Sequence, residues 1–228
     1  LQQRTRLSFV VDDLAVARGW SEAMVAAGQR AEVLVKVDVG FHRCGIAPDA
    51  ATAVAFLHAI AALPGLRLRG ILSHAGHAYH AHSDAELRQM AVGERDTMAA
   101  IAAAARGASL PVLEVSAGAT PPARYSLAVA AGTFTEFRPG NYVYFDRTMV
   151  GLGAATRDDC ALSVLATVVS APAPDRLVLD CGSKTLTNDQ ARGIDKVTGY
   201  GAVLNAGGTA VDEGLSIERL SEEHATVR

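Results

Sequence analysis

Short aliphatic and β-branched runs alternate with alanine-rich stretches through the first half of the chain, and this alternation constrains the fold most strongly. Five strands are predicted, over 6–11, 33–39, 68–73, 111–115 and 134–137. Helices are predicted between them: from Asp12 or Asp13 to Gly28, over 50–63, from Ser83 to about Arg106, and over 125–131. Such an order indicates βαβ units, an α/β fold class and a parallel sheet. The pattern does not separate an open doubly wound sheet from a closed barrel.

The pattern changes after about Gly151. Two strands are predicted, over 161–170 and 176–180, with no helix between them and a turn at 171–174. Such a meander is typical of a β-rich domain. We therefore predict an α/β domain over residues 1–150 and the beginning of a β-rich domain over 151–228.

Composition excludes several functional classes. The net charge is -3 and no cluster of lysine and arginine occurs, so no nucleic-acid partner is expected. No apolar run approaches the ~20 residues that span a bilayer, so no membrane association is expected. The three cysteines, Cys44, Cys160 and Cys181, are too widely spaced for a disulfide framework or a zinc site. This cysteine usage favours a reducing compartment, and we expect a cytoplasmic protein.

Polar side chains collect where the second and third predicted strands end. Strand alternation places Lys36 and Asp38 on one face, where they form either part of a site or an internal ion pair that fills a barrel. The third strand runs into four histidines, at 74, 77, 80 and 82. They allow a metal site completed by His42, or a ring-stacking His74 with exposed neighbours. The second interpretation is favoured, because metal ligands in barrels usually come from several strands.

Two glycine-containing turns follow the fourth and fifth strands. The first is Ser116-Ala117-Gly118-Ala119-Thr120-Pro121, and the second is Arg138-Pro139-Gly140-Asn141-Tyr142. Small residues, hydroxyls and free backbone N–H groups beside a helix form a phosphate cradle. Adjacent loops of a barrel commonly share one phosphate, although both turns could also serve backbone geometry alone.

The segments 36–45, 73–79, 116–121, 135–146, 180–184 and 221–224 together resemble the fold-type III pyridoxal-phosphate enzymes, whose barrel is like that of alanine racemase. They are most similar to the branch of D-threonine aldolases and D-serine dehydratases. The resemblance implies a partial (β/α)8 TIM-type barrel followed by a β-domain. It also implies that about three strands and the Schiff-base lysine precede Leu1. Lys36 is not that lysine and is expected to support Arg43.

The resemblance also implies roles for residues of this chain. Arg43 would approach the phenolic oxygen of pyridoxal 5'-phosphate, and His74 would stack on its ring. Arg138 would contact the ring nitrogen, and Tyr142 would line the pocket. The expected phosphate ligands are Ser116, Gly118, Thr120, Gly140 and Asn141.

By the same resemblance, we expect a homodimer acting on a small D-amino acid. A divalent metal (zinc, manganese or magnesium) is expected on ligands beyond Arg228, with none in this chain. The expected reaction is retro-aldol cleavage of D-threonine-like substrates to glycine and an aldehyde, with dehydration or racemisation as alternatives. This chain by itself is expected to be inactive.

Two interpretations lie outside that activity. One is a metal-dependent barrel hydrolase using His42, His74 and His77. The other is a non-catalytic carrier of pyridoxal phosphate, which the β-rich region disfavours because single-barrel carriers lack one.

Overall fold

A computed structural model describes residues 4–129, 132–194, 197 and 199–228. The chain divides into two compact units: Leu1–Ala78 with Ala85–Gly140, and Tyr79–Asp84 with Asn141–Arg228. The domain boundary predicted at residue 150 stays a prediction. Within the described residues, no helix combines the length and apolar character needed to cross a membrane.

The first unit alternates strands and helices around one parallel sheet. Its elements are β1 (Ser8–Val11), α1 (Leu14–Ala26), β2 (Ala31–Lys36), α2 (Ala50–Ala61), β3 (Leu66–Leu72), α3 (Asp84–Gly107), β4 (Glu114–Ala117), α4 (Ala123–Val129) and β5 (Glu136–Phe137). The five strands lie side by side in sequence order, and every pairing is parallel. The predicted α/β arrangement is confirmed, and residues 130 and 131 of the fourth predicted helix lie outside the described residues.

The apolar face of the sheet packs against the helices. Val33, Val35 and Val37 are fully buried there, in one core with Leu57 of α2 and Ile101 of α3. Each such side chain contributes about 1.5–3 kcal/mol of hydrophobic stabilisation. Because strand side chains alternate between faces, the residues between these valines point to the opposite face. The side chain of Lys36, at the end of β2, therefore lies on the side of the sheet away from the helices.

Local capping explains where two of these helices begin. The side chain of Asp13 accepts a hydrogen bond from the Val16 amide at 2.9 Å, and Asp49 does the same for Thr52 at 2.8 Å. Each carboxylate satisfies an amide that has no partner within its own helix. The prediction that Asp12 or Asp13 caps the first helix is therefore confirmed for Asp13.

The second unit is built around an antiparallel sheet. Its elements are α5 (Arg147–Gly151), β6 (Val168–Ala173), β7 (Arg176–Leu179), β8 (Ala202–Leu204), β9 (Val211–Leu220) and β10 (Ala225–Val227). The strand order is β6-β7-β10-β9-β8. A small core of Cys181, Ile217, Ala225 and Val227 lies against this sheet. The predicted change to β-rich structure is confirmed.

Several strand predictions were wrong in their bounds, and the starts of two strands were wrong by three residues or more. The strand predicted over 161–170 begins only at Val168, and its turn lies at Pro174 and Asp175 rather than at 171–174. β6 is an edge strand, so Pro172, which has no N–H, fits within it. The strand predicted over 111–115 begins at Glu114, where pairing with β3 starts.

Candidate functional site

The turn after β2 is organised by Asp38. One carboxylate oxygen accepts the backbone N–H groups of Gly40 and His42, both at 3.0 Å, and the other lies 3.0 Å from His42 Nδ1. Gly40 and His42 both have positive φ angles, of 120° and 54°. The Asp38 bonds hold this backbone in a conformation that most side chains avoid. The turn thereby fixes the positions of Phe41 and Arg43.

This arrangement predicts a pH-dependent stability. Burial raises the pKa of Asp38, but the hydrogen bonds from His42 and Gly40 outweigh it and hold that pKa below its ordinary value. The contribution of Asp38 to folding stability is therefore present above pH ~4. It is lost as the pH falls through the lowered pKa that Asp38 has in the folded state. Asp38→Asn should lower the unfolding temperature at pH 7, and the difference from wild type should shrink towards pH ~3. Thermal unfolding at a series of pH values checks this.

The control is Asp96→Asn, which removes an exposed carboxylate on α3. It should change the unfolding temperature little at either pH. A difference between wild type and Asp38→Asn that stays constant from pH 7 to pH ~3 would contradict the role given to this carboxylate.

His74 follows β3 and lies at the centre of the strand ends. Burial lowers the pKa of its ring and outweighs a hydrogen bond to the Gly118 backbone, which raises it. The positive charges of Lys36, Arg43 and Arg138 lower it further. His74 therefore presents a neutral ring at neutral pH. Three cations thus lie close enough to His74 to affect its charge.

An aromatic contact joins His74 to the turn after β2. The Phe41 ring meets His74 edge-on, with 6.0 Å between the ring centroids. The Arg43 guanidinium carbon lies 5.1 Å from the centre of the Phe41 ring. A Cβ atom at Gly76 would approach the Phe41 ring to 2.8 Å, so glycine is required for this packing. Arg43 and His74, predicted to bind one ligand, are thus brought together.

Arg138, just after β5, is held between two serines. Its Nε donates to Ser116 Oγ at 2.7 Å, and its Nη2 donates to the carbonyl oxygen of Ser73. The Ser116 hydroxyl in turn donates to the Glu136 carboxylate. Because a serine hydroxyl has one proton, Ser116 is here fully used as a donor. The structure therefore brings Ser116 and Arg138 together, while the predicted phosphate role of Ser116 stays a prediction.

The turn after β4 carries an unsatisfied hydroxyl. Thr120 is only 5% exposed, and its Oγ1 has no hydrogen-bond partner among the described residues. Such buried groups are uncommon and call for an explanation such as a missing ligand. Gly118 packs closely on Arg138, since a Cβ there would lie 2.9 Å from the Arg138 carbonyl oxygen. Gly140 has open space around it.

Two predicted ligands belong to the second unit. The Asn141 side chain donates to Asp146 at 2.7 Å, and Tyr142 is 54% exposed. Their predicted roles stay predictions.

Two charged residues of the first unit were missed by the sequence analysis. Glu94 of α3 is 2% exposed and accepts a hydrogen bond from Ser73 Oγ at 2.7 Å. Glu136 lies two residues before Arg138 and bonds Ser116. Lys36, by contrast, was predicted near this site from the sequence. It is 6% exposed, and burial lowers its pKa. Glu94 was not predicted, because it lies on a helix rather than at a strand end.

The histidines at the end of β3 do not converge on one point. No group of three His, Cys, Asp or Glu side chains within the described ranges is arranged to hold a metal ion. His42 pairs instead with Asp38, and a Cβ at Gly40 would lie 3.3 Å from the His77 ring. The arrangement required by the metal-dependent hydrolase interpretation is therefore not formed in this part of the chain.

Comparison with known proteins identifies the family of this chain. The alanine racemase N-terminal domain family matches residues 1–148, and a serine dehydratase domain matches residues 161–228. The D-threo-3-hydroxyaspartate dehydratase of Delftia sp. is 33% identical over 98% of this chain and 60% of its own length. Its solved structure superposes with a TM-score of 0.89, at 31% identity over 99% of this chain and 60% of that one.

The aldolases are also similar. A D-threonine aldolase of Arthrobacter sp. is 30% identical over 100% of this chain and 56% of its own length. The solved D-threonine aldolase of Filomicrobium marinum gives a TM-score of 0.78, at 28% identity over 99% of this chain and 56% of that one. The chain thus spans little more than half the length of these relatives.

These matches confirm the predicted fold as part of an alanine racemase-like barrel followed by the beginning of a β-domain. They also confirm the resemblance on which the site residues were assigned. The chain belongs to the alanine racemase N-terminal domain family of fold-type III pyridoxal-phosphate enzymes, in the branch of D-threonine aldolases and D-serine dehydratases.

Proposed function

We propose that the whole protein is a pyridoxal-phosphate-dependent lyase that acts on D-configured β-hydroxy amino acids. One observation carries this proposal: a neutral, half-buried His74 ring lies among Lys36, Arg43 and Arg138 at the ends of parallel strands. Ligand sites in α/β barrels lie at this end of the strands. An aromatic anion suits such a set of groups, since it offers a ring to stack and charges for the cations to bind.

The residues fit pyridoxal phosphate. Thr120 offers a buried hydroxyl that has no partner among the described residues, next to a turn that approaches Arg138 closely. We propose that Thr120 and the neighbouring turns hold the phosphate, and that His74 supports the ring. Arg138 is a permanent cation and cannot lend a proton to the ring nitrogen at neutral pH. Arg43 is exposed and lies over the Phe41 ring, and we propose that it approaches the phenolic oxygen.

When bound, pyridoxal phosphate supplies an electron sink that stabilises negative charge at the α-carbon of the substrate. The residues of this chain orient the cofactor and set the charge around it. The low pKa of His74 keeps its ring neutral, so that it stacks without adding a further positive charge. Ser73 and Ser116 hold the Arg138 guanidinium in place through its Nη2 and Nε atoms.

Two reactions compete within this class. Retro-aldol cleavage, expected from the sequence, breaks the bond between the α- and β-carbons and releases glycine and an aldehyde. Dehydration instead removes the α-proton and the β-hydroxyl as water and leaves an enamine, which tautomerises to an imine that water hydrolyses to a keto acid and ammonia. The higher identity and TM-score of the hydroxyaspartate dehydratase favour dehydration as the second candidate.

Product analysis of the whole protein separates the two reactions. D-Threonine, D-serine and D-threo-3-hydroxyaspartate would be supplied with pyridoxal phosphate and a divalent metal. Glycine and an aldehyde identify the aldolase, and a keto acid with ammonia identifies the dehydratase. The L-isomers are the control and should remain unchanged. Turnover of neither kind from any D-isomer would contradict the proposed function.

Two further proposals concern the whole protein. The resemblance supports a divalent metal bound beyond Arg228, and one solved structure of a D-threo-3-hydroxyaspartate dehydratase variant is in a metal-free form. The resemblance also supports a homodimer. Metal analysis and light scattering of the whole protein test these two proposals.

Replacing Thr120 by valine should have opposite effects on the stability of the cofactor-free protein and on cofactor binding. Thr120→Val removes a buried hydroxyl that has no partner in the described residues, so the cofactor-free protein should be unchanged or stabilised by up to about 1 kcal/mol. The same change removes a donor to the phosphate and should weaken pyridoxal phosphate binding about tenfold. Urea unfolding and a binding titration measure the two effects.

The matched control is Thr135→Val, because the Thr135 hydroxyl accepts the Val115 N–H at 2.9 Å. It should lower the free energy of unfolding by about 1 kcal/mol and leave cofactor affinity unchanged. If both variants behaved alike in both measurements, the phosphate role of Thr120 would be wrong.

A further inference from the structure

Glu94 is a buried carboxylate on the long helix α3. It is 2% exposed, and no other acidic residue in the described part of the chain is buried to this degree. Its neighbours on the same helical stripe are apolar: Leu87, Ala91, Met98 and Ile101. Buried charges are rare unless they are paired and hydrogen-bonded. A carboxylate in this position therefore calls for a specific role.

The contacts of Ser73 link Glu94 to the candidate site. Ser73 is fully buried and lies directly before His74. Its hydroxyl donates to Glu94 Oε1 at 2.7 Å, and its carbonyl oxygen accepts a hydrogen bond from Arg138 Nη2. One residue is therefore bonded to the helix through its side chain and to Arg138 through its backbone. A displacement of Glu94 would be transmitted to Arg138 and to the segment that carries His74.

Electrostatic interactions also connect Glu94 to the candidate site. Burial raises the pKa of Glu94 above its ordinary value, and the hydrogen bond from Ser73 and the charges of Lys36 and Arg138 offset this only in part. Those two cations are themselves half-buried or more, and burial lowers the pKa of each. The Glu94 carboxyl group interacts electrostatically with both cations. In its ionised form it stabilises their charged forms where water is largely excluded.

We propose that Glu94 is a positioning residue for Arg138, which it holds at the cofactor site through Ser73 without itself touching the cofactor. This inference rests on the proposed function only in naming pyridoxal phosphate as the ligand. The Glu94–Ser73–Arg138 connection is a property of the first unit alone. Ser116 and Glu136 hold the same guanidinium through its Nε atom.

Glu94→Leu in the whole protein tests the proposal. Leucine removes the acceptor of the Ser73 hydroxyl. The change should weaken pyridoxal phosphate binding about tenfold or more and shift the absorbance spectrum of the bound cofactor. The control is Met98→Ala, one helical turn further along the same buried stripe. It should lower the unfolding temperature but leave both affinity and spectrum unchanged. Equal losses of affinity in the two variants would overturn the proposal.

A double-mutant cycle supplies the second readout. In an Arg138→Met background, Glu94→Leu should cause little further loss of affinity, because its effect passes through Arg138. Independent losses that simply add would overturn the inference. If the wild-type protein bound no pyridoxal phosphate, the proposed function would fail. The same cycle, measured by thermal unfolding of the cofactor-free protein, would then decide the inference: non-additive effects support it, and additive effects overturn it.

Discussion

Replacing Arg138 by methionine should weaken the binding of pyridoxal phosphate by the whole protein about 100-fold, equivalent to about 2.7 kcal/mol. The change removes a fixed cation and its bonds to Ser116 and Ser73. It also leaves Glu136, which bonds Ser116, without the arginine that balances its charge. An anionic cofactor would then meet a carboxylate that no arginine offsets. A fluorescence or absorbance titration with pyridoxal phosphate measures the loss.

The same variant should lower the free energy of unfolding of the cofactor-free protein by about 2–3 kcal/mol, because charge-assisted hydrogen bonds are lost. Arg67→Met is the matched control. Arg67 lies in β3, is 62% exposed and pairs with Glu32 at 3.6 Å, among arginines at the opposite ends of the strands. Its replacement should cost less than about 0.5 kcal/mol and leave cofactor affinity unchanged. Equal effects of the two variants on affinity would show that Arg138 acts through net charge alone.

Gly70→Ala should lower the free energy of unfolding by about 3 kcal/mol or more. Gly70 pairs with Glu114 across β3 and β4, and a Cβ at this position would lie 1.8 Å from the Glu114 carbonyl oxygen. The obstacle is backbone within the sheet, so it cannot rotate away as a side chain would. In the variant, β3 and β4 must therefore separate at Glu114, two residues before Ser116. Urea unfolding of the whole protein measures the loss.

The control for this change is Gly93→Ala, in the middle of α3. Gly93 is exposed, and no atom lies within 4 Å of the position that an added methyl group would take. Alanine should therefore raise stability by about 0.5–1 kcal/mol, because it restricts the unfolded chain and favours the helix. Similar unfolding midpoints for the two variants would contradict the close approach of β3 and β4.

The parallel sheet was predictable because its signal is local and strong. β2 is apolar at alternate residues on its buried face, and Asp13 and Asp49 mark two helix starts by capping. The strands of the second unit were harder to predict from the sequence. β8 and β10 are three residues long, and β9 carries Asp, Glu and Arg on a largely exposed surface. Such strands are specified by their partners in the sheet rather than by their own pattern.

The candidate site was predicted in part for a similar reason. His74, Ser116 and Arg138 lie at strand ends, where topology brings them together whatever the intervening sequence. Glu94 reaches the site from a helix, through a contact 21 residues away in sequence. One signal could have revealed it: an acidic residue on the helical stripe that otherwise carries Leu87 and Met98. A charge on a buried stripe indicates a partner in the core.

The most direct test of the central claim is the near-visible absorbance of the whole protein with pyridoxal phosphate, before and after borohydride reduction. We expect a band that reduction removes, with the cofactor then mapped to a lysine outside these 228 residues. Arg138→Met should need a higher cofactor concentration to reach the same band. The absence of any band in the wild-type protein, even with excess cofactor, would contradict the account.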